Sequence, residues 1–273
     1  MPTHDDADQL HDQAIEAAGR GDHFKAKELF EDALELYREV PGAEKDQAHC
    51  LYSLATTLLI LGKPAQAEPL YRQALTLYQT APTSERNQAQ CLYNLAISLH
   101  RLEKLDEAAP LYRQALALFR SISGTERDQA NCLNNLAACM LNLRKLSHAE
   151  SLYYQALTLY QKIPGTEYEQ ATSTYSLATT LLSQGKLDPT EALYQDALKQ
   201  AVSAALFNDE YRYQLTSPTK RRAWIINRAQ PSMNQALDIA ADLGDAPLVA
   251  ELVAKWRMVG SLAAMPAARN SDD

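Results

Sequence analysis

The sequence predicts an all-α fold: a right-handed α-solenoid of stacked antiparallel helix pairs, with extra C-terminal helices. Three observations predict it. First, one segment recurs every 41 residues, as QAHCLYSLATTLL (47–59), QAQCLYNLAISLH (88–100), QANCLNNLAACML (129–141) and QATSTYSLATTLL (170–182). Second, another keeps the same spacing: AEPLYRQALTLY (67–78), AAPLYRQALALF (108–119), AESLYYQALTLY (149–160) and TEALYQDALKQA (190–201), with a degenerate first copy, AKELFEDALELY, at 26–37. Third, the apolar residues in both segments fall three or four apart, on one side of a helix. A fixed period of this length means stacked repeats.

Each unit contains two amphipathic helices. In the first, Leu92, Leu95, Ala96 and Leu99 share a face; in the second, Leu111, Ala115, Leu116 and Phe119 do. LGKP, LEKL and LRKL join helices within a unit, and PGAEKD, PTSERN, SGTERD and PGTEYE join units. Most of these connectors carry Pro, Gly or charge, which are turn signals. A single pair cannot bury its apolar stripe, so the pairs must stack. Pro69 and Pro110 sit just past the position where proline is most comfortable, which predicts a later helix start or a local kink.

The spacing Leu51–Leu54–Ala55–Leu58, then Ala67–Tyr71–Ala74, sets small residues where two helices come closest. It repeats as Leu92, Leu95, Ala96, Leu99, Ala108, Tyr112, Ala115 and as Leu133, Leu136, Ala137, Met140, Ala149, Tyr153, Ala156. This pattern resembles the tetratricopeptide repeat. The longer unit, with LNNLA and EPLYRQAL, is similar to the long-repeat variant of kinesin light chains and many bacterial repeat proteins. The resemblance covers residues 7–201 and implies a binding scaffold, without naming what is bound. Residues 1–6 are expected to be disordered. The first unit carries Asp12 and Gln13 where later units have Ser or Asn and then Leu, as a terminal cap would.

After Ala201 the register fades. Residues 202–264 are expected to form helices that continue or cap the stack, with Trp224 and Trp256 as core anchors, and 265–273 a disordered tail. ALDIAADLGDAPLVAELVAKW resembles the helices that follow the repeats in some bacterial signalling proteins, including those that precede a caspase-like CHAT domain.

The formal charge is −8, from 26 basic and 34 acidic residues. That disfavours nucleic acid as a partner, although Lys220, Arg221, Arg222 and Arg228 form a local basic cluster. The longest apolar runs are too short to span a membrane. MPTHDDADQLHDQ has no basic segment followed by an apolar one, so no signal peptide is expected and a cytoplasmic location is the default.

Cys50, Cys91 and Cys132 recur at one position per unit, and Cys139 lies seven residues on; no close pair has zinc spacing. They read as small residues at the contact between units, because the fourth copy has Ser173 and Thr180 instead. The six histidines show no metal spacing, and no nucleophile or phosphate-loop motif is present. The expectation is a non-enzyme without cofactor or metal.

The resemblance places the first helix of each unit on the inner, concave wall. A helical wheel points His49, Tyr52 and Thr56 there, with Gln90, Tyr93, Ile97, His100 and Arg101 in the next unit. Asn131, Asn134 and Asn142 follow, then Thr172, Tyr175 and Thr179. Leu59, Ile60, Ala138, Leu141, Leu182 and Ser183 share this face. Asn94 and Asn135 lie beside it, placed to bind across adjacent helices. Asn and Gln amides both donate and accept, and Tyr gives wide contact at low entropic cost. Such a wall suits a protein segment or extended peptide. Some family members grip acidic C-terminal tails with Lys and Asn. Those lysines are missing here, and only Arg101, His49 and His100 supply positive charge.

The leading reading is therefore an adaptor or scaffold. Two alternatives stand beside it: a bacterial sensor whose superhelix responds to a peptide or effector, and an accessory or inhibitory subunit of a signalling or CHAT-type protease system. Self-association through the C-terminal helices is a further partner mode.

Overall fold

A computed structural model of the chain describes residues 3–80 and 85–186, with a few helical positions beyond, among them Ala192, Ala197, Leu237 and Ala241. The described elements are all helices: α1 (His4–Gly19), α2 (His23–Glu39), α3 (Glu44–Ile60), α4 (Pro64–Thr80), α5 (Glu85–Arg101), α6 (Leu105–Ser121), α7 (Glu126–Asn142), α8 (Leu146–Tyr160) and α9 (Glu167–Ser183). The chain divides into two compact units, Met1–Leu152 and Tyr153–Asp273. Most of the expected C-terminal helices, with Trp224, Trp256 and the basic cluster, and the expected tail 265–273 lie outside the described residues.

In the first unit α1, α3 and α5 pack on α2, α4 and α6, and these then pack on α3, α5 and α7. The first helices also touch one another, α3 with α5 and α5 with α7. This is the predicted stack of pairs. Small residues make the close approach: Ala55, Ala67 and Ala74 are 0% exposed, as are their counterparts Ala96, Ala108 and Ala115. The second helices bring large side chains to the same layer. Tyr71 and Tyr112 are buried, as are Tyr78 and Phe119 seven residues on. Phe30 and Tyr37 hold these places in the first unit of the sequence. Burying one such side chain contributes about 1.5–3 kcal/mol.

The helix starts differ from expectation in two places. α1 begins at His4, inside the stretch expected to be disordered, because Thr3 and Asp6 form a capping box. Proline does not delay α4 and α6: Pro69 and Pro110 lie inside them. Both prolines are exposed, as are Ala65 and Asp106 four residues earlier. The carbonyls that lose a partner therefore face solvent, which makes the interruption tolerable.

One turn closes every pair. The N–H of Lys63 donates to Leu58 O and that of Gly62 to Leu59 O; Lys104 and Glu103, Lys145 and Arg144, and Lys186 and Gly185 repeat the pattern. This double bond needs a residue at positive φ. Gly21, Gly62 and Gly185 supply it without cost, but Glu103 (φ 59°) and Arg144 (φ 58°) adopt it with a side chain.

Glu103→Gly and Arg144→Gly should each raise stability by roughly 0.5–1 kcal/mol, since both side chains are exposed and only the backbone conformation is relieved. Urea midpoints check this. Gly62→Ala, at φ 72°, should lower the midpoint.

Candidate functional site

The recurring glutamines tie each unit to the one before it. Gln47 Nε2 donates to Tyr37 O and Gln88 Nε2 to Tyr78 O, each at 2.9 Å, and Gln129 reaches Phe119 O at 3.3 Å. Each amide adds a donor to a carbonyl in the last turn of a second helix. In the second unit, Gln170 reaches Tyr160 O in the same way. Thr166 Oγ1 also donates to that carbonyl at 2.7 Å, and Thr125 does the same to Phe119 O.

The cysteines serve the same interface. Cys50 Sγ donates to Phe30 O and Cys91 Sγ to Tyr71 O, both at 3.2 Å. All four thiols are buried and free. Burial pushes Cys50 and Cys91 up to about 12, and raises Cys132 and Cys139 as well. A thiol held neutral is a poor nucleophile and a poor metal ligand. No cluster of His, Cys, Asp or Glu that could hold a metal occurs among the described residues.

The predicted wall residues lie on α3, α5 and α7 in the first unit. His49, Tyr52, Thr56, Gln90, Tyr93, Ile97, His100, Asn131 and Asn134 are half-buried, and Arg101 and Asn142 are exposed. Thr172, Tyr175 and Thr179 lie on α9 in the second unit, half-buried.

Many of these side chains are held by the neighbouring helix. Asn94 Nδ2 donates to Tyr52 Oη at 2.8 Å, and Asn135 Nδ2 to Tyr93 Oη at 2.6 Å. Each tyrosine ring stands edge-on to a core tyrosine: Tyr52 to Tyr71 at 5.8 Å, and Tyr93 to Tyr112 at 6.0 Å. Asn142 meets His100 at 3.0 Å, and Asn87 meets His49 at 2.9 Å. Arg101 Nη1 donates to Leu59 O at the end of α3, so part of its charge is engaged in capping. The wall is thus a ladder of neutral polar groups in fixed positions.

The second helices carry ion pairs of their own. Arg72 bridges Glu68 and Glu107, and Lys104 meets Glu68 at 2.8 Å. Lys104 beside Glu68 holds its carboxyl below the usual range.

Two clefts open along the first helices. One, of about 560 Å³, is lined by His100, Glu103, Leu105, Leu141, Asn142 and Arg144. The other, of about 220 Å³, is lined by His11, His49, Tyr52, Ser53, Tyr78, Asn87 and Gln90. The sequence reading did not single out His11, Ser53, Tyr78 or Asn87. The 41-residue offset that sets His11 in register with Tyr52 was the available signal.

The native thiols should resist a disulfide reagent such as dithionitrobenzoate and all react in denaturant; fast native labelling of Cys50 or Cys91 would contradict their burial. Burial also lowers the pKa of His11, His49 and His100 below the ordinary 6.5. The unfolded chain then binds these protons at higher pH than the folded one. Their contribution is intact above about pH 6.5 and lost as pH falls through that value. His4 runs the other way, raised by its bonds to Asp46 and Asp8, but it is exposed. The urea midpoint should therefore fall between pH 7.5 and 5.5, and His49→Gln should flatten that fall.

Comparison with known proteins agrees with this geometry. A profile of the tetratricopeptide repeat family matches residues 9–80, 87–162 and 133–201, more than half of the chain. No curated protein sequence matches. Among solved structures, the kinesin light chain-type protein of Podosopora anserina with nearly identical TPR-like repeats has a TM-score of 0.61 at 18% identity, covering 73% of this chain and 97% of that one. Rap protein complexed with competence and sporulation factor has a TM-score of 0.58 at 16% identity, covering 93% and 74%. YrrB, a TPR protein with an unusual peptide-binding site, has a TM-score of 0.51 at 16% identity, covering 70% and 84%. At such identities the likeness speaks for the fold alone, but with the matched profile, the 41-residue helix pairs and their alanine seams, it follows that the chain belongs to the tetratricopeptide repeat family.

Proposed function

We propose that this chain is a non-catalytic scaffold that holds a protein segment or an extended peptide against its first helices. The occupied face would be the concave groove carrying His49, Tyr52 and Thr56 of α3, Gln90, Tyr93, Ile97, His100 and Arg101 of α5, and Asn131, Asn134 and Asn142 of α7. Thr172, Tyr175 and Thr179 are their counterparts on α9.

One observation carries the reading: half-buried tyrosines on this face are fixed by asparagines of the next helix. Side chains already held in place lose little entropy when a partner docks. Amides and phenols can pair with a peptide backbone whatever its sequence. Two solved structures of this fold carry ligand information in their own right, Rap with competence and sporulation factor and YrrB with a peptide-binding site. The −8 charge supports a polypeptide partner over nucleic acid. No described helix is long and apolar enough to cross a membrane.

The test uses peptides selected from a random displayed library against the full chain. Ile97→Glu and Ala138→Glu put a charge at matching positions of α5 and α7, one turn beyond Asn94 and Asn135. Each should weaken the selected peptides by roughly tenfold or more while helicity is unchanged. Peptides that bind both variants as tightly as the parent would place their site elsewhere.

A further inference from the structure

Four hydrogen bonds between successive first helices join residues one period plus one apart. His4 meets Asp46, Tyr52 meets Asn94, Tyr93 meets Asn135, and His100 meets Asn142, each across 42 positions. The same step from His11 leads to Ser53. His11 holds the place of Tyr52 and Tyr93, and Ser53 that of Asn94 and Asn135. A serine hydroxyl sits directly on Cβ, and it does not reach as far as an asparagine amide. The rung is left open. His11 Nε2 is buried with no hydrogen-bond partner, and the cleft of about 220 Å³ lies between His11, Ser53, Tyr52, His49, Asn87 and Gln90. His11 is braced from behind, its ring 5.4 Å from Phe30 and 6.3 Å from Tyr37.

We propose that this cleft is a subsite for a carboxamide, the side chain of a glutamine or asparagine in the bound peptide. It would occupy from outside the place that Asn94 and Asn135 fill from within at the next two rungs. This rests on the groove reading and names one residue class that the groove would select.

The chemistry follows from the lining. A buried imidazole nitrogen without a partner costs about 1–3 kcal/mol until it is paired. Depending on tautomer, that nitrogen either donates or accepts, and a carboxamide answers both cases with its NH₂ or its C=O. A carboxylate can only accept and an ammonium can only donate. No Asp, Glu, Lys or Arg lines the cleft, so an ionised group would be desolvated there without a counter-charge. Burial keeps His11 and His49 below the usual imidazole range, in agreement with a neutral pocket.

The experiment follows the His11 and His49 ring signals of the full chain by NMR at pH 7.5. The probes are the N-acetyl N-methylamides of glutamine, glutamate and norleucine. The glutamine probe should shift His11 saturably, with the other two at least roughly tenfold weaker. Ser53→Asn should close the rung, move the His11 signal by itself and abolish the response, whereas Ser53→Ala keeps it. His11→Tyr, which puts the phenol of the later rungs here, is a second closing variant read at His49. The subsite is overturned if the glutamine probe leaves His11 unmoved, if the glutamate or norleucine probe binds as well, or if either closing variant, folded by its helicity, still responds. Selected peptides that keep full affinity for Ser53→Asn but lose it with Ile97→Glu would overturn the subsite and leave the groove standing.

Discussion

Every helix pair in the first unit has apolar side chains on two sides, towards its own partner and towards the next pair. The second contact governs the rest of the structure. Where α2 meets α3, α4 meets α5 and α6 meets α7, a second helix ends against a first helix that has just begun. Its last carbonyls have room for a second donor there: Tyr37 O and Phe119 O each accept one backbone N–H from the turn that follows. The side chains of Gln47, Gln88 and Gln129 add a donor from the next pair. A few residues further along, Cys50 and Cys91 lie flat against the same helix and donate weakly to it. The period of 41 residues is the distance at which one such joint is followed by the next.

Fixing this joint also sets the wall. Once the first helices are stacked at constant offset, Tyr52 and Tyr93 each face the residue 42 positions on. Tyrosine followed by asparagine at those two places produces a phenol–amide pair at each step. Residues that look like ligand contacts on a helical wheel therefore have a second task. Tyr52 and Tyr93 belong both to the wall and to the cohesion of the stack, as do His49 and His100 through Asn87 and Asn142. A further set of ion pairs lies away from these contacts, joining Arg72, Glu68 and Glu107 of the second helices with Lys104 at the N-cap of α6. The wall can then be neutral and partly desolvated without any buried ion to compensate.

The same arrangement explains why the first rung differs. α1 is polar, with Asp12, Gln13 and Glu16 exposed. His11 and Ser53 stand there where later rungs use tyrosine and asparagine. A cleft with an unpaired nitrogen can persist because the rungs that follow it are complete.

Much of this architecture was legible in the amino-acid sequence. Helix existence, pairing and the small-residue seams follow from a 41-residue period with apolar positions three and four apart, because local periodicity and burial act on the same face. The wall positions, and the suspicion that Asn94 and Asn135 bridge helices, follow from the same wheel. The start of α1 at His4 and the prolines inside α4 and α6 did not follow, since capping geometry and the exposure of a carbonyl are properties of coordinates. Nor did the task of the glutamines, which act on a carbonyl ten residues back across a turn. Least visible was the open rung. His11 and Ser53 belong to different repeats and lie in register only once the helices are stacked. The sequence by itself determined which residues form the helices and which faces meet; only the tertiary structure decided which polar groups find partners, because that depends on the offset between neighbouring helices.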